Sequence, residues 1–394
     1  MKRTHGDMEN EEWGQPLYTE VSSMVTRHSR FYYEHLFPYE DLLQWLAYGR
    51  SEYLGRREIS FMVNERYLRY HSFKTATDFK TEVLSLNPQK LDIGAVYTYP
   101  PIDNQRVKTT PFMAIERELV LDIDLSDYDA VRYCCQGASV CTKCWRYLSL
   151  AMHVLHVLLT EQFGFKHILW VFSGRRGIHA WICDAAARDM TTDERMHVTD
   201  TLSLIQGAKE QAKRVSLSEG PLDPILEHLC QQWIQPAFES WLLAEQGILD
   251  TEPKWKHLLA CLGNPDLEDH YSQLFKRLSS SRERWQYLKD NLSRKQVMEC
   301  MFQYLYPHLD VNVTKGLNHL LKAPFSLHPS TGRVCVPLDI QTCDEFNPLS
   351  VPTVKEMKEE YSKLAAFRDL DTVHFFEDAL DLFRQFIQRI KNDP

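Results

Sequence analysis

Apolar and polar positions change period several times along this chain. Residues 21–36 repeat near 3.6, with Val21, Val25, His28, Tyr32, His35 and Leu36 close to one face, so they read as a helix. Pro38 is placed to open a second helix carrying Leu42, Leu43, Trp45 and Leu46. Residues 58–63 and 67–73 read as a strand pair. Thr77 can cap a helix that ends at Asn87-Pro88, and residues 92–98 read as a short strand. Residues 119–124, Leu-Val-Leu-Asp-Ile-Asp, are β-prone and read as a buried strand. A helix over 145–163 follows, with Leu148, Met152, Leu155 and Leu159 on one face and Gly164 at its end. Residues 168–172 and 178–182 are two further apolar strands.

From 191 to 306 strand-like runs almost vanish. Thr191 and Glu194 resemble a capping box, and Trp233, Phe238, Trp241, Trp255, Phe275 and Trp285 recur at helical intervals. These aromatics read as packing groups rather than a base-stacking platform. Strands are expected again at 309–313 and 334–338, around a turn at Pro329-Ser330-Thr331-Gly332. The tail beyond Pro352 reads as helical, with Phe375, Phe376, Leu380, Phe383 and Ile387 on its apolar face. The expectation is an α+β chain: a mixed core from 1–183 and 308–394, with an all-helical subdomain inserted at 184–307. No internal repeat or low-complexity linker interrupts it.

Composition narrows the partners. The 394 residues suffice for one large or two ordinary domains, and 44% are hydrophobic. Residues 1–15 are polar and expected to be loose. They hold no apolar signal region, and no apolar run is long enough to span a membrane. Six of the ten cysteines are scattered, at 183, 230, 261, 300, 335 and 343, which suggests a reducing compartment. A net charge of −9 argues against extended duplex binding by charge alone. Contact with a polynucleotide should be local and salt-sensitive, or shared with partner subunits.

Three features carry chemistry. Asp122 and Asp124 share one strand face, because strand side chains alternate. Two carboxylates in an apolar strand repel and lose hydration unless something neutralises them, and Mg²⁺ or Mn²⁺ is the natural partner. A strand end with solvated or Arg-paired aspartates is the plainer reading. Ser173-Gly174-Arg175-Arg176-Gly177-Ile178-His179 joins two strands. Its glycines let backbone approach a ligand, and its arginine forks suit phosphate, with His179 a further donor. An ordinary hairpin tip is the alternative. Cys134, Cys135, Cys141 and Cys144 can close a tetrahedral structural zinc site, with two disulfides as the alternative. Asp310 could complete a three-carboxylate site, with Lys322 and His328 as donors nearby. His153 and His156 read as surface or packed histidines, since no partner cluster accompanies them.

The order and spacing of Asp122-Ile123-Asp124, the four cysteines, the 173–179 loop and Leu309-Asp310-Val311-Asn312-Val313 resemble the catalytic small subunit of eukaryotic-type DNA primase. Residues 67–73 and 90–97 also resemble family segments, and the similarity spans most of the chain. It implies the archaeo-eukaryotic primase fold, a two-sheet catalytic core with a zinc motif and a helical insertion. It implies template-directed synthesis of short RNA primers on single-stranded DNA to initiate replication in the nucleus. Asp122, Asp124 and Asp310 would hold two divalent metals. Ser173, Arg175, Arg176, His179, Lys322 and His328 would hold the ribonucleoside triphosphate, with Arg69, Lys90, Asp92 and His319 near it and Glu58 tied to initiation. The partners implied are an iron–sulfur large subunit and DNA polymerase alpha. Two other readings stand beside it: a related repair or damage-tolerance primase-polymerase, and a non-catalytic zinc-bearing nucleic-acid module.

Overall fold

Two antiparallel sheets take up the two groups of strands. The structure is a computed structural model that describes residues 15–104, 111–205, 207, 211, 213–217, 220–366 and 375–393. Most of the loose N-terminal segment expected from the sequence therefore lies outside the described residues. Strands β1 (Arg57–Val63), β2 (Arg66–His71), β3 (Lys90–Tyr97) and β4 (Ala114–Glu116) form the first sheet in the order β2-β1-β3-β4. Strands β5 (Leu119–Asp124), β6 (Ile168–Phe172) and β7 (Gly177–Ile182) belong to the second. β8 (Leu321–Lys322) returns to pair with β3, and β9 (Pro337–Leu338) pairs with β6, so the second order is β5-β7-β6-β9.

The second sheet is covered on both faces, which is why β6 and β7 read as nearly continuous apolar runs. On one face, Trp145 of the Thr142–Val157 helix meets Phe172 edge-on, ring centroids 5.8 Å apart. On the other, Trp181 meets Trp45 of the Tyr39–Ala47 helix at 5.3 Å. The antiparallel register sets Asp122 opposite His179 and Asp124 opposite Gly177. With period two, both aspartates and His179 lie on the Trp181 face.

Between 185 and 305 the described residues hold helices and no strand. Trp241, Phe238, Phe275, Trp255 and Trp285 are buried there. Their apolar faces join one continuous core with the sheets, for example where Tyr147 meets Trp241 at 4.6 Å. No helix of the described residues is long and apolar enough to cross a membrane.

Three local expectations need correction. The cap of the Ala76–Leu86 helix is Thr75, whose hydroxyl accepts from the Asp78 amide at 3.1 Å, not Thr77. Residues 334–338 are mostly not a strand: only Pro337–Leu338 pairs, and Val334 forms a lone bridge with Leu327. Residues 309–313 are not a strand at all. Asp310 is the N-cap of a short helix, Val311–Lys315, its carboxylate accepting from the Asn312 amide at 3.0 Å. The physical reason is the edge of β5. Among the described residues that edge has no strand beside it, and its carbonyls need donors. The Asp310 amide donates to the Asp122 carbonyl at 3.0 Å, and the Thr314 hydroxyl donates to the Val120 carbonyl at 2.7 Å.

Candidate active site

A cleft of about 170 Å³ opens where the second sheet meets β8. It is lined by Asp122, Asp124, Ser173, Arg175, Arg176, Gly177, His179, Lys322 and His328. The β6–β7 turn forms one wall. Its ends are tied by the Ser173 amide donating to the Gly177 carbonyl at 2.9 Å and the Gly177 amide donating to Ser173 Oγ at 3.0 Å. Gly174 sits at φ +85°, and a Cβ there would lie 2.8 Å from the His328 Cβ. A Cβ on Gly177 would lie 2.7 Å from the Ile123 carbonyl of β5. Both glycines are therefore required by close approach, the first also by its backbone conformation.

The two sheets are locked together at this turn. Lys322 of β8 donates to the Ser173 carbonyl at 2.7 Å, and Thr331 donates to the Gly174 carbonyl at 2.7 Å. Lys322 stands opposite Asp92 in the β3–β8 register. Burial lowers the Lys322 pKa and raises that of Asp92, which Lys90 contacts at 2.9 Å. The Ser330 amide donates to His328 Nδ1 at 3.1 Å, so the neutral ring carries its proton on Nε2. Burial, with Lys322 and Arg175 nearby, keeps His328 well below the usual histidine range. Burial and Lys322 do the same to His179, whose Nε2 lies 3.7 Å from Asp122 and whose buried Nδ1 has no hydrogen-bond partner among the described residues.

The acids are arranged unevenly. Arg176 Nε lies 2.7 and 2.9 Å from the two Asp124 oxygens, and the Ser126 amide donates to Asp124 at 2.8 Å. Asp310 is turned to its cap. Among the described residues the three carboxylates are not gathered within 4.8 Å as the four thiols are. Asp122 is the perturbed member. Burial pushes its pKa up to about 7 against the pull of Lys322, and Asp124 and Asp310 add to the rise. An acid raised above its unfolded value of about 3.9 favours its protonated form in the fold, so stability falls as pH climbs from about 4 to about 7. Without added Mg²⁺ or Mn²⁺, and with the zinc left in place, Asp122→Asn should therefore melt roughly 2–5 °C above the parent at pH 8, with the gap narrowing at pH 5. Equal melting temperatures at both values would contradict this, and differential scanning fluorimetry reads it directly.

Arg69, Lys90, Asp92, Glu58 and His319 lie around β3 and β8 rather than on the cleft wall. Glu58 is fully buried. It accepts from Arg69 at 2.8 and 2.9 Å, from the Tyr70 amide at 3.1 Å and from Tyr97 at 3.0 Å. Arg69 in turn donates to the Asn318 carbonyl at 3.1 Å, beside His319. One positioning residue escaped the sequence reading. The buried Arg117 donates to the Gly316 carbonyl at 2.8 Å and the Val313 carbonyl at 3.3 Å, holding the segment after Asp310. Nothing in its local sequence marks it.

Away from the cleft, Cys134, Cys135, Cys141 and Cys144 bring four sulfur atoms within 4.8 Å of one another. Cys141 and Cys144 lie 3.8 Å apart at the first turn of the Thr142–Val157 helix. Tetrahedral zinc with bonds near 2.3 Å needs sulfur pairs about 3.8 Å apart. The donor set fits that ion. A second cluster was not expected: His153 meets Cys343 and Asp344. A larger cavity of about 800 Å³ borders the Glu377–Asn392 helix. Its described lining includes Asp339, Glu377, Asp378 and Asp381 and no basic residue, which makes it a poor seat for an anion.

The same segments carry the relationship to known proteins. The family model for the DNA primase small subunit matches residues 121–340, from β5 through β9 and on to Ile340. The DNA primase small subunit of Schizosaccharomyces pombe is 38% identical over 355 residues, covering 84% of this chain and 77% of that protein. That of Drosophila melanogaster is 39% identical over 353 residues, covering 84% and 80%. That of Saccharomyces cerevisiae is 37% identical over 354 residues, covering 84% and 85%. On these matches the chain belongs to the DNA primase small subunit family.

Proposed function

We propose that this chain is the catalytic subunit of a primase, a nucleotidyltransferase that builds short RNA primers on single-stranded DNA. The observation that carries the reading is the cleft itself: on a chain of this family, two strand-borne aspartates face two arginines, a half-buried lysine and two neutral histidines. An anion with several oxygens, bound with divalent cations, satisfies both halves of that arrangement.

Asp122, Asp124 and Asp310 would hold two Mg²⁺ or Mn²⁺ ions. The fit rests on hard oxygen donors and on Asp122, whose raised pKa marks a carboxylate that nearby cations compensate incompletely. Such ions supply activation of a 3′-hydroxyl and stabilisation of the leaving pyrophosphate. The chain's own groups do the rest. Arg175, Lys322 and the Nε2 proton of His328 bind phosphate oxygens. Ser173 fixes the turn, and His179 offers a neutral ring beside Asp122. Arg176 is shared: its guanidinium rests on Asp124 and turns to phosphate as the triphosphate enters. Arg69, Lys90, Asp92 and His319 shape the nucleotide's surroundings, and Glu58 acts through Arg69 rather than by touching nucleotide. The four thiolates hold a structural zinc. As the family implies, the partners are a DNA template, ribonucleoside triphosphates, an iron–sulfur large subunit and DNA polymerase alpha, in the nucleus.

The test is synthesis on unprimed single-stranded DNA with ribonucleotides and Mg²⁺ or Mn²⁺, with and without the large subunit. Short RNA products are expected. Extension only of a ready-made primer with deoxynucleotides would favour a repair polymerase, and no product under any condition would favour a binding module. Arg176→Ala should raise the nucleotide KM about 10- to 100-fold, for the loss of one charge-assisted phosphate contact. An unchanged KM in steady-state assays would leave Arg176 as the ion-pair partner of Asp124 with no part in binding nucleotide.

A further inference from the structure

Three potential donor groups, His153, Cys343 and Asp344, meet away from the cleft. His153 lies on the Thr142–Val157 helix, and Cys343 and Asp344 lie in the segment after β9. His153 Nε2 is 3.0 Å from Asp344 Oδ2 and 3.5 Å from Cys343 Sγ. Both neighbours meet the same ring nitrogen. A nucleophilic relay would need the carboxylate on Nδ1 and the thiol on Nε2, so the arrangement does not suit a cysteine nucleophile. It does suit two ligands sharing a centre with the imidazole. With bonds near 2.05 Å to nitrogen, 2.1 Å to oxygen and 2.3 Å to sulfur, a tetrahedral ion needs edges of about 3.4 Å (N–O) and about 3.5 Å (N–S).

The groups are also held in place. The His153 ring stacks on Trp233, centroids 4.2 Å apart and planes within 9°. The Trp145 indole donates to the Cys343 carbonyl at 3.0 Å. Cys343 is buried, His153 is nearly so, and Asp344 reaches solvent with 62% of its side chain exposed. The cluster therefore has a packed floor and one open side.

We propose that His153, Cys343 and Asp344 form a second metal site, three protein ligands with an open fourth position, for Zn²⁺ or a similar borderline divalent cation. Mixed nitrogen, sulfur and oxygen donors favour that class over Mg²⁺. The site would clamp one helix at two points. Cys144 lies on its first turn, and His153 is nine residues on, about 13.5 Å along the axis. The second clamp would tie this helix to the segment following β9, which borders the second sheet.

The test uses the full chain, stripped of metal, given one equivalent of zinc, which the four-thiolate cluster takes first, and then titrated with Co²⁺. Wild type should take up one cobalt with a thiolate-to-metal charge-transfer band and visible bands of tetrahedral strength. Cobalt in the carboxylate cleft gives no thiolate band. Cys343→Ser should lose the band, and Asp344→Asn should bind cobalt at least about 10-fold more weakly. No thiolate band in wild type, or an undiminished one in Cys343→Ser, overturns the proposal. Should Cys343→Ser fail to fold, Asp344→Asn decides alone, because its exposed side chain tolerates the change: affinity equal to wild type overturns the site.

Discussion

Asp122→Ala is expected to lower nucleotide addition by at least about 10³-fold, or ~4 kcal/mol of barrier, while leaving the fold intact. The size follows from position. Asp122 stands at the centre of the candidate site, opposite His179 in register and bonded through its carbonyl to the Asp310 amide. Its side chain makes no hydrogen bond that shapes the backbone, so removing it costs the fold little. Asp310→Ala should lose activity similarly, but it also removes a helix cap worth ~1 kcal/mol. Primer-extension rates, with circular dichroism and melting temperature as controls, separate the two effects. Full activity in a folded Asp310→Ala protein would take that residue out of the metal site.

The second large effect is on folding. Cys144→Ser should remove one tightly held zinc per chain and lower the melting temperature by more than about 10 °C, or leave the protein insoluble. Cys144 is wholly buried. Its sulfur accepts from the Cys141 amide at 3.2 Å, and Arg132 reaches it at 3.7 Å. Arg132 also donates to the Ser139 and Gly137 carbonyls, at 3.0 and 2.9 Å, so the sulfur site and the 137–139 loop are one unit. Losing the ion would leave three thiols of that unit without a common partner. Chelation of wild type should reproduce the loss. Metal analysis of the purified chain that found no zinc would remove the reading.

Much of this was legible before any fold was known, and the reason is local geometry. Period two puts Asp122 and Asp124 on one face whatever surrounds them. The spacing of Cys141 and Cys144 suits one helical turn. The glycines at 174 and 177 mark a turn where backbone must come close. Each of these depends on a few consecutive residues. Asp310 marks the limit: five alternating residues cannot distinguish a strand from a capped turn. The open edge of β5 decided between them, because the Asp122 and Val120 carbonyls needed donors that Asp310 and Thr314 supply. Contacts across long separations were likewise the work of packing. Lys322 reaches the Ser173 carbonyl only because β8 pairs with β3 while the β6–β7 turn projects toward it. His153 met its partners only when the segment after β9 returned across its helix, 190 residues away in the chain. Periodicity states which way a side chain points; only the packing of distant segments decides what it meets there.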